Sequence, residues 1–384
     1  MELFKLKNPV KHYPWGSIKW LPELLGHEPD GQPWAELWMG IHSEGESQTS
    51  DGIPIRQLVV EPLPFLFKVL AAAQILSIQA HPTVEQAQEG FKREEAAHIA
   101  LTSPDRNYKD PNHKPEIICA LSPFRALCGF RDPLEIASLM SLFSTEAASK
   151  PVYSVIQKLF LCTGIQDFFE SLLMLSTQPH DLNLLYEYLQ SCVSLLMHKE
   201  PTYAHVWQLC AQCAKQYPED PLFLAPLYLN VIDIEPGEAL YIPAGVLHAY
   251  VYGLGIELMA NSDNVLRCGL THKRIDRAEL FKVVQFSPFK PAIIHPTEAG
   301  FYQNPSHDFS LCVQHGTGEQ VSFPFSRGPA FFIVTNGVLT TLIDGRSSQW
   351  CRGESAFIPQ ASSHIKVAGT FTVYIAGLAC ENIG

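Results

Sequence analysis

Two stretches in the second half of the chain are written to one pattern, and this repetition limits the fold more than any other feature. PGEALYIPAGVLHAY carries Gly237, Pro243 and His248; RGESAFIPQASSHIK carries Gly353, Pro359 and His364 at the same internal spacings, 116 positions later. Each reads as a glycine turn, a strand of alternating apolar residues, a proline-marked bend and a second strand bearing His. Two related β modules are the economical explanation.

The rest of the chain divides by its period. From residue 1 to about 130, short apolar runs are broken by Pro, Gly and Asp, as in HYPWGS, SDGIPIRQL and EPLPFLFKVL, which favours strands. One helical interlude interrupts them, TVEQAQEGFKREEAAHIAL, which opens on a cap-like Thr. Between about 131 and 225 the period becomes helical. Asp132 can cap a helix with Pro133 at its first position, and Asp181 can cap one whose Leu182, Leu185, Leu189, Val193 and Leu196 share a face. In YAHVWQLCAQCAKQY, Cys210 and Cys213 fall on the apolar stripe, so packing is expected of them rather than ligation. The expected organisation is a β module from 1–130 together with 226–290, a helical insertion at 131–225 and a second β module at 291–384.

Composition narrows the partners. With 384 residues, 46% of them hydrophobic and 17% charged, the chain can fill more than one core. A formal charge of -12 argues against a nucleic-acid or anionic-membrane surface, so an anionic substrate would need a local cationic pocket. MELFKLKNPVKHYPW lacks a signal-peptide core, no apolar run is long enough to span a bilayer, and the ten cysteines form no disulfide framework. A cytoplasmic monomer with reduced thiols is expected.

Three segments carry candidate chemistry. In LSIQAHP, Ser77, Gln79 and His81 alternate with Leu76, Ile78 and Ala80, so a strand would send all three polar groups to one face. Burial there is costly unless a metal or polar ligand satisfies them. In HKPEIICAL, Lys114 and Glu116 share a face; a structural salt bridge and metal ligation explain that pair equally well taken alone. His248, alone, would read as a core histidine. Taken together, Gln79, His81, Glu116 and His248 offer two imidazoles, a carboxylate and an amide oxygen, a set suited to zinc with manganese, iron or cobalt tolerated.

The Gly-x5-Pro-x-Gly-x2-His arrangement of the first repeat resembles the second signature of the cupin superfamily, small jelly-roll barrels whose His points inward to a metal. The second repeat departs from it at Ala361, and neither repeat ends in the Asn that often closes the signature. More specifically, LSIQAHP, KDPNHKPE, YIPAGVLHAY and MANSDNVLRCGLTHKRID, in this order and with HYPWGS and WAELWMGIHSEG before them, resemble type I mannose-6-phosphate isomerases. The resemblance covers most of the chain outside the helical insertion. It implies two cupin-like jelly-roll barrels, one zinc ion on Gln79, His81, Glu116 and His248, and interconversion of mannose-6-phosphate and fructose-6-phosphate through a cis-enediol. It also implies an active-site arginine at Arg267, proton transfer and ring opening by Lys114 and His113, and phosphate recognition by Ser77 and Lys273, with Arg274 as a further cation. His272 stands where proline is common in the family. His364 has no Gln-x-His partner and reads as structural, and Trp15 and Trp38 read as packing residues that could also line a sugar pocket. A cupin oxygenase using iron and a non-catalytic sugar-phosphate sensor are the rival expectations.

Overall fold

A computed structural model describes residues 2–362 and 364–379. Their backbone forms two large antiparallel sheets, of eleven and ten strands, with a block of helices against the first. The mainly β architecture with a helical insertion is therefore present. Among the described residues neither ladder closes on itself into a barrel.

The first sheet is organised on one long strand, His248–Ala260. Its second half pairs with Phe65–Ala72 and Glu116–Ala120, and its first half with Ile78–Ala80 and Phe124–Phe130. Glu116 stands opposite Met259 in this ladder. A straight strand would put that position about 36 Å from His248. The strand is instead sharply curled. Its register against Phe124–Phe130 slips between Tyr250 and Tyr252, as at a bulge. Gly253 follows with φ +131°, where a Cβ would stand 2.5 Å from the Phe124 ring. Only glycine tolerates both conditions. The curl returns the Glu116 end of the sheet to face the His248 end.

The helical block runs from Pro133 to Tyr228. Asp132 accepts a hydrogen bond from the Leu134 N–H at 2.8 Å and caps Pro133–Thr145. Asp181 does not cap: its helix, Pro179–Lys199, starts two residues earlier at Pro179, and the carboxylate sits in the first turn, where it still meets the positive end of the dipole. Leu182, Leu185, Leu189 and Leu196 are buried on one face of that helix, and Cys210 and Cys213 are buried on Ala204–Gln216. This block packs on Ile78, Ala80, Ala249, Val251, Leu266 and Cys268. By strand alternation, the insertion therefore covers the outer face of strands whose inner face carries Gln79, His248 and Arg267. The helix Val84–Ala96 begins on Thr83 with a full capping box through Gln86.

The second sheet is built on Ala330–Ile343 against Thr370–Gly377 and Ser355–Ile358. The N-terminal strand Phe4–Lys7 belongs here, with Phe4 opposite Phe357. The sheets share a core in which Phe65 meets Phe331, and Leu258, Phe357 and Tyr374 belong to the same hydrophobic cluster. His364 is exposed, away from any cluster of metal-binding side chains among the described residues. All nine described cysteines are free, and no helix among the described residues is long and apolar enough to cross a membrane.

Candidate metal centre

Pairing of short strands sets the site. Ile78–Ala80 lies between the start of His248–Ala260 and Leu266–Gly269, so Gln79 has His248 on one side and Arg267 on the other. Those three side chains share the inner face, and His81 follows two residues after Gln79. Glu116 arrives from the opposite layer through the curl. Its Oε1 lies 3.3 Å from His81 Nε2 and its Oε2 lies 3.3 Å from His248 Nε2. Gln79 Nε2 is 3.5 Å from His248 Nε2.

Both imidazoles are oriented from behind by main-chain oxygens. His81 Nδ1 donates to the Asn264 carbonyl at 2.7 Å, and His248 Nδ1 donates to the Val246 carbonyl at 3.0 Å. The proton is thereby placed on Nδ1 and the Nε2 lone pairs face the centre, the arrangement that metal-binding histidines use. His81 Nε2 is buried with no hydrogen-bond donor against it. Such an orphaned acceptor is costly unless a cation fills the space. Burial, followed by the charge of Lys114, lowers the His81 pKa to about 4, so the ring is neutral at ordinary pH. Burial by itself would raise the Glu116 carboxyl, but Lys114 and then His81 outweigh it and hold the group well below the usual carboxylate range. The donor atoms of His81, Glu116 and His248 all lie within 4.8 Å of one another. The three can hold one divalent ion.

A cavity of about 540 Å³ opens over this centre, lined by Gln79, Lys114, Glu116, His248, Arg267 and Lys273 among others. Ser77, Trp15 and Trp38 also face it. Lys114 Nζ donates to Glu116 Oε1. Arg267 has no acidic partner among the described residues, and burial lowers its pKa. Lys273 is lowered as well, by burial and then by Arg267 and Lys109. Three cations thus crowd one side of a cavity in a chain whose net charge is -12. Two candidates stand elsewhere. His113 Nε2 is 2.8 Å from Asp308 Oδ2 and does not line the cavity, and Arg274 pairs with Asp105 at 3.1 Å and Asp276 at 3.8 Å.

The floor of the cavity carries a group that sequence reasoning missed. Lys68 Nζ is 3.1 Å from Glu257 and 3.8 Å from Glu36, and Glu36 accepts a 2.7 Å hydrogen bond from the Trp38 indole. Burial opposes the Lys68 charge, yet Glu257 and then Glu36 hold its pKa above the usual lysine value. A signal was available: Lys68 in FLFKVLAA and Glu257 in LGIELMA are lone charges inside apolar runs. Such residues survive in a core only when paired.

Fold and site together define a metal-dependent enzyme architecture with a His–Glu–His centre beneath a cavity fitted for a small anionic substrate. The profile of the type I phosphomannose isomerase catalytic domain matches residues 3–133. Mannose-6-phosphate isomerase of Escherichia coli K12 is 36% identical over 390 residues, covering 95% of this chain and 97% of that protein. The human enzyme of the same name is 31% identical over 355 residues, covering 80% and 81%. A crystal structure of a mannose 6-phosphate isomerase bound with zinc and yttrium superposes with a TM-score of 0.88 at 33% identity, covering 98% of this chain and all of that one. The chain belongs to the type I mannose-6-phosphate isomerase family.

Proposed function

We propose that this chain interconverts mannose-6-phosphate and fructose-6-phosphate with one zinc ion held by Gln79, His81, Glu116 and His248. The observation that carries the reading is the convergence of two Nδ1-anchored imidazoles on one buried carboxylate, with His81 Nε2 left open. Gln79 joins as a ligand by turning its amide oxygen to the same point. When bound, the ion supplies Lewis acidity for a sugar carbonyl or hydroxyl.

The reaction is redox-neutral overall. The C2–H bond breaks and its electron pair forms C1=C2 while the C1=O π pair moves to O1, which takes a proton to give a cis-enediol; O2 then loses its proton, C2=O forms, and the C1=C2 pair takes a proton at C1. Arg267 stands beside Gln79 with its charge unpaired, where it stabilises the negative charge that grows on the enediol oxygens. Lys114 is the proton carrier, since its Nζ lines the cavity beside Glu116 and can reach a sugar oxygen or carbon there. His113 would open the ring, which requires it to leave Asp308 and turn toward the cavity. Ser77 and Lys273 hold the phosphate at the cavity wall. Arg274 is occupied by its two aspartates and is not needed.

The finer architecture belongs to the same reading. The first sheet, curled at Gly253, and the second sheet are each taken as an open cupin-like jelly roll, with 1–130 and 226–290 forming the catalytic module apart from Phe4–Lys7, which pairs in the second sheet, 131–225 the insertion and 291–384 the second module. A cytoplasmic monomer belongs to the same reading, and the nine free thiols among the described residues suit that compartment.

The test is a coupled assay for fructose-6-phosphate formed from mannose-6-phosphate, on protein of known metal content, before and after chelation and zinc restoration. Chelator-sensitive, zinc-restored turnover is expected. A zinc-loaded protein that leaves mannose-6-phosphate unchanged overturns the reading.

A further inference from the structure

The loop that carries the cavity's cations is held by the helical insertion. The strand bearing Arg267 ends at Gly269, and Leu270 takes φ +51°, a conformation that a branched side chain adopts only under constraint. The constraint is Asp220, fifty residues earlier in the chain. Its Oδ2 accepts the Leu270 N–H at 2.6 Å, and its Oδ1 accepts the Leu222 N–H at 2.9 Å and so caps the turn Pro221–Leu224. Packing supports the same junction. A Cβ on Gly269 would stand 2.3 Å from Leu222, so the insertion touches the loop backbone directly. At the loop's outer end His272 lies 5.5 Å from the Tyr217 ring, and both residues line the cavity.

We infer that Asp220 is a positioning residue: by holding the Leu270 N–H it sets where Arg267 and Lys273 stand over the cavity, which makes the helical insertion part of substrate recognition. This rests on Arg267 and Lys273 facing the substrate as proposed above. The carboxylate is suited to the task because it can accept on both oxygens at once. An amide cannot. Asp220→Asn keeps a good cap for Leu222, since Asn serves as well as Asp there, but sets an N–H donor against the Leu270 N–H.

The experiment compares four zinc-loaded full-length proteins: wild type, Asp220→Asn, Arg267→Ala and the double variant. Metal content, melting temperature, kcat, KM and inhibition by inorganic phosphate are measured for each. The Asn variant is expected to keep its metal, to lose about tenfold in kcat/KM with KM rising, and to be inhibited more weakly by phosphate, as befits one buried N–H left unpaired. The double variant is expected to fall below Arg267→Ala only by the share carried through Lys273, which is less than the loss that Asp220→Asn causes in the wild-type background. A lowered melting temperature with wild-type KM would reduce Asp220 to a structural role and overturn the inference. So would a double variant that falls a further tenfold below Arg267→Ala. If Arg267→Ala itself turns over normally, the role of Arg267 fails and this inference with it; an impaired Arg267→Ala beside a normal Asp220→Asn overturns this inference alone. Asp220→Ser, which retains one acceptor for Leu222, is read in the same way if the Asn variant does not fold.

Discussion

Replacing Lys68 by Met tests the charge balance beneath the cavity. The substitution keeps a long apolar stem and removes the ammonium that stands 3.1 Å from Glu257 and 3.8 Å from Glu36, all three side chains being under one-tenth exposed. Two carboxylates then share a buried site without a cation. At pH 7.5 the cheapest relief is to protonate one of them, roughly three units above an ordinary glutamate at about 1.4 kcal/mol per unit, or about 4 kcal/mol. That agrees with the 3–5 kcal/mol typical when one partner of a buried pair is removed. The sign of the pH dependence follows. Burial, Glu116 and Glu36 already raise the Glu257 carboxyl against the pull of Lys68, and removing Lys68 raises it further. A carboxyl whose folded pKa lies above its unfolded value binds its proton more readily in the folded state, so the deficit shrinks as pH falls. The stability gap between wild type and Lys68→Met, measured by urea denaturation of metal-free protein, should be about 4 kcal/mol at pH 7.5 and roughly 2 kcal/mol at pH 5.5. A gap below about 1 kcal/mol, or one that does not change with pH, would show that Lys68 does not hold the two carboxylates in balance.

Other substitutions separate the remaining roles. His248→Ala is expected to lose metal and activity together, read by metal analysis beside the coupled assay. Arg267→Ala should keep its metal while kcat falls by about 10²–10³, the range for losing one preorganised charge stabiliser; near-normal turnover would remove arginine from the mechanism. Because the His81 pKa is lowered to about 4, the unfolded chain binds a proton there that the folded chain does not between pH 6.5 and 4, so metal-free protein should lose stability on acidification through that window. A denaturation midpoint flat from pH 6.5 to 4.5 would contradict it. Gly253→Ala should destabilise by about 3 kcal/mol and lower metal occupancy, since strain and the clash with Phe124 both oppose the curl that brings Glu116 to His248.

Much of this was legible in the chain, and the reasons differ by element. The alternation at Ser77, Gln79 and His81 announced an inward polar face because strand geometry leaves no other choice, and Ile78 and Ala80 do pack outward on the helices. The helical block was legible from its 3.6-residue stripe, though the cap at Asp181 was misplaced because Pro179 offers an earlier start. Non-local pairing was not legible. Phe4–Lys7 joins the second sheet through Phe357, and nothing in its own four residues encodes a partner some 350 positions away. The same holds for His113, whose partner Asp308 depends on how the two halves meet, and for Arg274, claimed by Asp105 across a loop. Lys68 and Glu257 were legible and overlooked, for a charge in an apolar run marks a buried pair even before its partner is known.

The acceptors behind His81 and His248 are the carbonyls of Asn264 and Val246, which belong to every residue type alike. No single substitution can delete them. The tautomer of both imidazoles is therefore inherited from the course of the chain: that of His248 changes only if the turn at Val246 moves, and that of His81 only if the loop through 262–264 does. That loop is pinned by Asp110, which accepts from the Ser262 hydroxyl at 2.8 Å and the Asp263 N–H at 2.8 Å. A homologue could therefore replace nearly every side chain around the centre and still present two Nε2 lone pairs to it, provided an aspartate's hold on that turn endures.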